Sequence, residues 1–370
     1  MQAEFWATQR VFLTGHTGFK GSWLALWLER LGARVFGFAL PPEQTPNLHA
    51  QLQPFTRLVS TIGDIRDGAD LARAVAEANP TIAIHLAAQP LVRRSYAEPV
   101  ETFATNTLGT ANVLQALRGA PELRATLVIT TDKVYQNCDS GRAFAEDDPL
   151  GGRDPYAASK AAAELIVRSY AESFFEPARK PVATARAGNV LGGGDWSEDR
   201  LVPDIWRAKQ RGGPAALRYP QATRPWQHVL DPLAGYLAYL EHLVADPDGT
   251  PRALNFGPAA QAATMTVGQV ADVIAPGLGT SWVAADSRGP AEMQYLALDA
   301  TKAAHTLAWR PRLDVRQTLD WTLEWYRRFD AGEDARALTA EQIERYERLG
   351  QAEANSRPSM GLANRAFAGH

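Results

Sequence analysis

The sequence predicts an α/β fold, a doubly wound parallel sheet carrying a smaller mixed α/β substrate domain, and three observations lead there. Short apolar runs rich in Val, Ile and Phe alternate with helical patterns through the first half of the chain. These runs are apolar on both faces, as the buried strands of a parallel sheet are. A glycine-rich turn lies between the first run and the first helical pattern, where such sheets bind ligands.

The elements follow in order. RVFLT, FKGSWLALWLERLG, ARVFGFAL, ADLARAVAEANP and TIAIHLAA read strand, helix, strand, helix, strand. Helices between parallel strands cover both faces of the sheet. ATLVITTD is a further strand, a long helix beginning near Pro155 runs through YAASKAAAELIVRSYAESF, and PVATARAGNV is the strand after it. Beyond Leu191 the texture changes: GGGDW is no regular element, and short strands such as AALRY and ALNFG stand between loops and helices. The expected division is therefore a nucleotide-binding domain over 1–191, a substrate domain over 192–330, and a C-terminal helix and tail over 331–370. PLAGYLAYLEHL is a segment of the second part able to pack back on the sheet. TAEQIERYERLGQAEA reads as a surface helix and RPSMGLANRAFAGH as a loose tail.

At 370 residues the chain is long enough for two cores. Its 38 basic residues nearly balance 41 acidic ones, which excludes a broad nucleic-acid or anionic-membrane surface. A few Arg or Lys residues around one small anion remain compatible with that balance. The single cysteine, Cys138, excludes an intramolecular disulfide and a cysteine-based zinc site, and fits a reducing compartment, the cytoplasm by default. No segment reaches the roughly 18 apolar residues of a membrane span. The beginning, MQAEFWATQRVFLTG, lacks a basic stretch followed by an apolar one.

Gly15-His16-Thr17-Gly18-Phe19-Lys20-Gly21 has GxxGxxG spacing. Gly15 suits the tight turn, Gly18 a close backbone approach to a pyrophosphate, and Gly21 close helix packing; the helix N-terminus supplies N–H groups. Lys20 adds a cation there. The second strand ends without the acidic residue that often holds the ribose of NAD, so this position leaves NAD and NADP open. Asp64, in Gly63-Asp64-Ile65, reads either as an adenine contact or as a turn residue or helix cap.

Tyr156-Ala157-Ala158-Ser159-Lys160 is YxxxK at helical spacing, which puts both side chains on one face. Lys160 beside the phenol would lower its pKa from about 10 and make Tyr156 a base for a substrate hydroxyl while hydride leaves the carbon. Thr131-Asp132-Lys133 sets two opposite charges at the end of a buried strand.

The GHTGFKG turn, the TTDK strand end, YAASK and RAGNVLGGGDW together resemble the extended short-chain dehydrogenase/reductases, specifically the CDP-glucose 4,6-dehydratases. The similarity covers about residues 5 to 328, including GDIRD, HLAAQPLVR, RLVPDI and RPWQHV. The resemblance implies a Rossmann domain holding NAD, a nucleotide-sugar substrate, and a homodimer through helices near Val100 to Leu117 and Tyr156 to Tyr170. It assigns the cofactor to Gly15, His16, Gly18, Phe19, Lys20, Gly21, Asp64, Ile65, Leu86, Ala87, Ala88, Gln89, Asn106, Tyr156 and Lys160. The substrate falls to Asn189, Arg200, Leu201 and Arg224, with His228 and Tyr295 at neighbouring pocket positions. The residue types leave other readings: a turn for Asn189, a surface charge for Arg200, a core histidine for His228.

The implied reaction is dehydration. Tyr156 takes the proton of the sugar 4-hydroxyl as the C4 hydride leaves to NAD, with Thr131 hydrogen-bonding near that oxygen; the ketone acidifies C5, water is lost across C5–C6, and hydride returns to C6. Asp132 and Lys133 stand where dTDP-glucose relatives carry Asp-Glu. Asp132 serves as acid only if burial raises its pKa, and Lys133 as base only if burial lowers its own, while their proximity opposes both shifts. Lys133 is therefore either the C5 base or a positioning cation, with water or Tyr156 taking that proton. The chain departs from the pattern at Val134-Tyr135-Gln136-Asn137-Cys138 and at Gln294, on the substrate side. A 4-epimerase or reductase using the same Tyr and Lys is the alternative enzyme; a dinucleotide-binding regulator is the alternative outside catalysis.

Overall fold

Alternation within single strands decides which face each residue covers. In β1 (Arg10–Thr14), Val11 and Leu13 enter one core and Phe12 the other; in β2 (Arg34–Ala39), Val35 and Phe38 divide likewise. The remaining central strands are β3 (Leu58–Ile62), β4 (Ile82–His85), β5 (Ala125–Ile129), β6 (Val182–Ala187) and β7 (Ala253–Phe256). The computed structural model describes residues 2–137, 141–258, 264–286 and 295–356. Cys138, Gln294 and the RPSMGLANRAFAGH tail lie outside the described residues.

The seven strands form one sheet in the order β7-β6-β5-β4-β1-β2-β3, every pair parallel. The order reverses between β1 and β4, and a crevice opens at the carboxyl ends of the strands beside such a reversal. Helix α1 (Phe19–Arg30) leaves β1 and buries Trp23, Leu24, Trp27 and Leu28 on one face. Helices α2 (Gly68–Ala78) and α3 (Gly109–Leu117) cover the other with Leu71, Val75, Val113 and Leu114. Helix α4 (Pro155–Tyr170) starts sharply because Asp154 caps it, accepting from the Ala157 N–H at 2.8 Å, and because Pro155 at its first position needs no N–H partner.

Segments beyond residue 191 pack back on the sheet, as the sequence allowed for PLAGYLAYLEHL. Helix α5 (Leu201–Gln210) belongs to the substrate side, but α6 (Leu230–Ala245) buries Leu230, Leu233, Tyr236, Leu237 and Leu240 in the same core as β5, and ALNFG supplies the outermost parallel strand, β7. Helix α7 (Val267–Leu278) and helix α8 (Val315–Asp330) complete the second lobe.

The last helix, α9 (Ala335–Ser356), is docked where the sequence predicted a surface element. It buries Leu338, Ile343 and Tyr346, each worth ~2 kcal/mol against exposure. Glu347 accepts from Trp27 Nε1 at 2.8 Å, and Tyr346 donates to the buried Asp231 at 2.7 Å. Polar residues dominate its sequence because most of them face outward; the three apolar anchors are spaced too sparsely to give an obvious stripe.

Candidate active site

At the reversal point a cavity of about 640 Å³ is lined by the glycine turn, the ends of β4, β5 and β6, the first turns of α4, and residues 189–204 and 216–226 of the second lobe. Gly15 has φ +77°, and a Cβ there would stand 2.7 Å from the Ala87 nitrogen. A Cβ on Gly21 would stand 2.0 Å from the Gly15 carbonyl, so the turn closes only around glycine. Gly18 caps α1 without any side-chain acceptor, leaving first-turn N–H groups directed to the cavity. That is a cradle for a dinucleotide pyrophosphate, and the cavity is large enough for a cofactor.

Phe19, Lys20, Asp64, Ile65, Leu86, Ala87, Ala88 and Gln89 line the cavity. Burial, with Arg200 next, lowers the Lys20 amine to about 8. Asp64 is held by Arg66, which bonds both carboxylate oxygens and reaches Glu101; those bonds keep its pKa below the ordinary value.

Two of the expected cofactor residues do not line the cavity. The His16 ring turns beneath the strands, bonding Ser60 at 2.6 Å and packing against His49; burial lowers it to about 3 and keeps it neutral. Only glycine at position 37 leaves it room. Asn106 accepts from the Gln89 N–H at 2.8 Å and donates to Ser159 at 2.9 Å, so it ties the loop after β4 to α4 from behind the cavity. Asn106 is satisfied internally, while His16 bonds only through Nε2 and keeps a buried Nδ1 without a partner.

Thr131, Asp132, Lys133, Tyr156 and Lys160 meet at the cavity floor. Thr131 caps the short turn Asp132–Val134 and donates to Asp132 Oδ1 at 2.9 Å. Asp132 is buried, its Oδ2 is without a hydrogen-bond partner, and burial raises its pKa against the pull of Lys133. A carboxyl held toward its protonated form is a proton donor. Lys133 is half-buried at the cavity wall.

The expected lowering of Tyr156 by Lys160 is not what the structure shows. Burial raises the phenol, opposed by the Arg200 guanidinium and a hydrogen bond with Thr131. Lys160 donates instead to the Ile129 carbonyl at 2.9 Å, and burial lowers it to about 8. Desolvation outweighs neighbouring charge in so enclosed a place.

Asn189, Arg200, Leu201 and Arg224 face the cavity from the second lobe. Arg200 donates to the Pro90 carbonyl at 3.3 Å, and Arg224 is buried and lies within electrostatic reach of Asp132. His228 and Tyr295 do not line it. His228 is wedged between Trp23 and Trp321, accepts from the Leu230 N–H at 3.3 Å, and is neutral with a pKa of about 3 through burial. Tyr295 meets the second half of VYQN instead, its carbonyl accepting from Asn137 at 2.9 Å.

Sequence reasoning missed a row of charge across the mouth. Asp199 accepts from Arg93 at 2.9 Å and Arg218 at 2.7 Å, joining the two lobes; all three line the cavity. Only the arginine-rich texture of HLAAQPLVRR hinted at it, because Arg93 lies 106 positions from Asp199, although Arg218 lies only 19 away.

Comparison with known proteins agrees with this geometry. A family model described as GDP-mannose 4,6 dehydratase matches residues 12–322. A CDP-glucose 4,6-dehydratase of Salmonella typhimurium is 41% identical over 350 residues, covering 93% of this chain and 97% of that protein. A dTDP-glucose 4,6-dehydratase of Xanthomonas campestris is 27% identical over 332 residues, 85% of this chain and 92% of the other. Among solved structures, MoeE5 in complex with UDP-glucose and NAD superposes with a TM-score of 0.72 at 26% identity, over 86% of this chain and 98% of the other. With the model matched across both lobes and a relative aligned almost end to end, the chain belongs to the GDP-mannose 4,6 dehydratase family, the nucleotide-sugar dehydratases built on this sheet.

Proposed function

We propose that the protein removes water from CDP-glucose to give CDP-4-keto-6-deoxyglucose, and that it does so as a homodimer in the cytoplasm. The observation that carries the dehydratase chemistry is the buried Asp132 beside Thr131 and Tyr156, an acid where an epimerase needs none. CDP-glucose is supported by the 41% identical relative and by the Asp-Lys pair at the strand end.

NAD is the cofactor; the glycine turn from Gly15 to Gly21 and the loop from Leu86 to Gln89 would hold it, and when bound it would supply the acceptor for the C4 hydride and the donor to C6. The protein's part is proton management. Tyr156 accepts the 4-hydroxyl proton, a role in which the Arg200 guanidinium and the Thr131 hydrogen bond oppose the burial that raises its phenol. The C5 proton, acidified by the new ketone, goes to Lys133 or to water, because Tyr156 already carries the 4-hydroxyl proton. Asp132 gives its proton to the leaving C6 hydroxyl, a transfer its raised pKa favours. Asn189, Arg200 and Arg224 take the diphosphate, for which arginine offers paired charge-assisted donors.

The dimer reading rests on an exposed apolar face. Val100, Phe103 and Leu108 before α3, and Leu165 and Phe174 on and after α4, project to solvent on neighbouring helices. The cytoplasmic reading rests on the single cysteine; no helix among the described residues is long and apolar enough to cross a membrane. The test is direct. CDP-, dTDP-, GDP- and UDP-hexoses are offered with NAD: a 4-keto-6-deoxy product from CDP-glucose in preference to the others supports the proposal. Preference for another base removes the substrate name, and epimerisation without water loss removes the reaction.

A further inference from the structure

Tyr156, Lys160 and Glu164 lie at i, i+4 and i+8 on α4, so the third member of this face is a carboxylate one turn beyond the lysine. Glu164 is buried, and so is Arg186 on β6; they pair at 2.9 Å (Nε to Oε1) and 2.8 Å (Nη2 to Oε2). The remaining lone pairs are also used. Thr130 donates to Oε1 at 2.5 Å and Thr184 to Oε2 at 2.9 Å. Thr130 immediately precedes Thr131 and Asp132.

Arg186 carries the connection onward. Its Nη1 donates to the Tyr135 hydroxyl at 2.9 Å and to the Glu146 carbonyl at 3.0 Å. Tyr135 donates to Asn255 at 2.7 Å and stacks on Phe144 with centroids 5.0 Å apart. Asn255 in turn donates to the Phe144 and Asp299 carbonyls at 2.9 and 3.1 Å. One buried polar chain therefore runs from the face that carries the base, past the strand end that carries the acid, to the loop beyond it.

We propose that the Glu164–Arg186 pair is a positioning unit for the reaction, fixing where Thr131 and Asp132 stand relative to Tyr156 and Lys160, with Tyr135 as its outer anchor. The additional bonds that such a buried pair requires go to the residue next to the catalytic strand end on one side and to the outgoing loop on the other. Such pairs add little stability over apolar packing, while loss of one partner leaves an uncompensated charge. Their value here is orientation. The charge has a second consequence: among the groups facing Lys160, Glu164 favours its cation, while Lys20 from α1 opposes it and His85 from β4 is neutral.

The inference rests on the dehydratase reading for its kinetic arm only. Thr130→Val removes one hydrogen bond and leaves the ion pair intact; kcat should fall ~10-fold with KM within about twofold, and Thr130→Ser should restore it. Glu164→Gln should lower kcat by ~10²-fold. The second arm needs no turnover: pH-dependent acylation of the Lys160 amine, in the full chain with a small anhydride and read by peptide mass, should show its midpoint moving down by about one pH unit in Glu164→Gln. Lower thermal stability with unchanged kcat and unchanged Lys160 midpoint would make the pair merely structural and overturn the proposal. So would Thr130→Val matching Thr130→Ser. If the wild type turns over no nucleotide sugar, the function reading fails and the labelling midpoint still decides this one.

Discussion

The two walls of the cavity recognise their ligands by different means. The cofactor wall is made of backbone and glycine: Gly15, Gly18 and Gly21 come from seven consecutive residues, and Leu86 to Gln89 from one loop. The opposite wall, which we assign to the substrate, is made of charged side chains gathered from distant places, Arg93, Asp199, Arg200, Arg218 and Arg224. A backbone cradle tolerates almost no change in residue size, while a side-chain wall can be rewritten one arginine at a time. Between them lies the floor, Thr131 to Lys133 with Tyr156, to which we assign the proton transfers.

The largest effect is expected on the floor. Asp132→Asn should cost ~10³-fold in product formation, within the range of a lost general acid. NAD binding and C4 oxidation should persist, so reduced cofactor accumulates on the enzyme, visible by its absorbance. Unchanged dehydration would remove Asp132 from the acid role.

On the cofactor wall, Gly21→Ala drives a methyl into the Gly15 carbonyl and must open the turn. NAD affinity should fall by ~10²-fold in a binding titration, about what loss of a well-oriented phosphate cradle costs. Wild-type affinity would mean the turn does not hold the cofactor as described. On the substrate wall, Arg224→Lys keeps the charge and loses the planar fork, so KM should rise ~10-fold with kcat within about twofold. A fall in kcat at constant KM would instead show that Arg224 acts on its neighbour Asp132.

The smallest effect lies away from both walls, at the anchor of the last helix. Burial holds Asp231 at about 7, against hydrogen bonds from the Arg312 N–H and the Tyr346 hydroxyl. An unfolded aspartate releases its proton near about 4. Between those values the folded state binds more protons, so stability falls as pH rises from about 4 to 7. Asp231→Asn should remove that slope in urea midpoints measured across the range; parallel curves for both proteins would contradict it.

The same contrast explains what was legible in the sequence. β1, the glycine turn and α1 are contiguous, and their hydrophobic period and glycine spacing report local requirements, so that half of the site could be read directly. Tyr156 and Lys160 were legible as a pair at helical spacing, but their electrostatics were not. Lys160 turned to the Ile129 carbonyl, and burial raised Tyr156, because enclosure by the second lobe is a non-local fact. His228 stayed open between pocket and core for the same reason: a histidine beside Trp226 in a motif gives no sign that Trp23, 205 positions earlier, closes over it. β7 was read into the wrong lobe because a four-residue apolar strand does not say which sheet it joins.

The central claim is that one site oxidises C4, eliminates water across C5–C6 and reduces C6 without exchanging the hydrogen it carries. CDP-glucose labelled with deuterium at C4 tests it in one reaction. The account predicts a 4-keto-6-deoxy product with the deuterium at C6, and with hydrogen from solvent at C5. Deuterium retained at C4, or passed to added cofactor in solution, would contradict it.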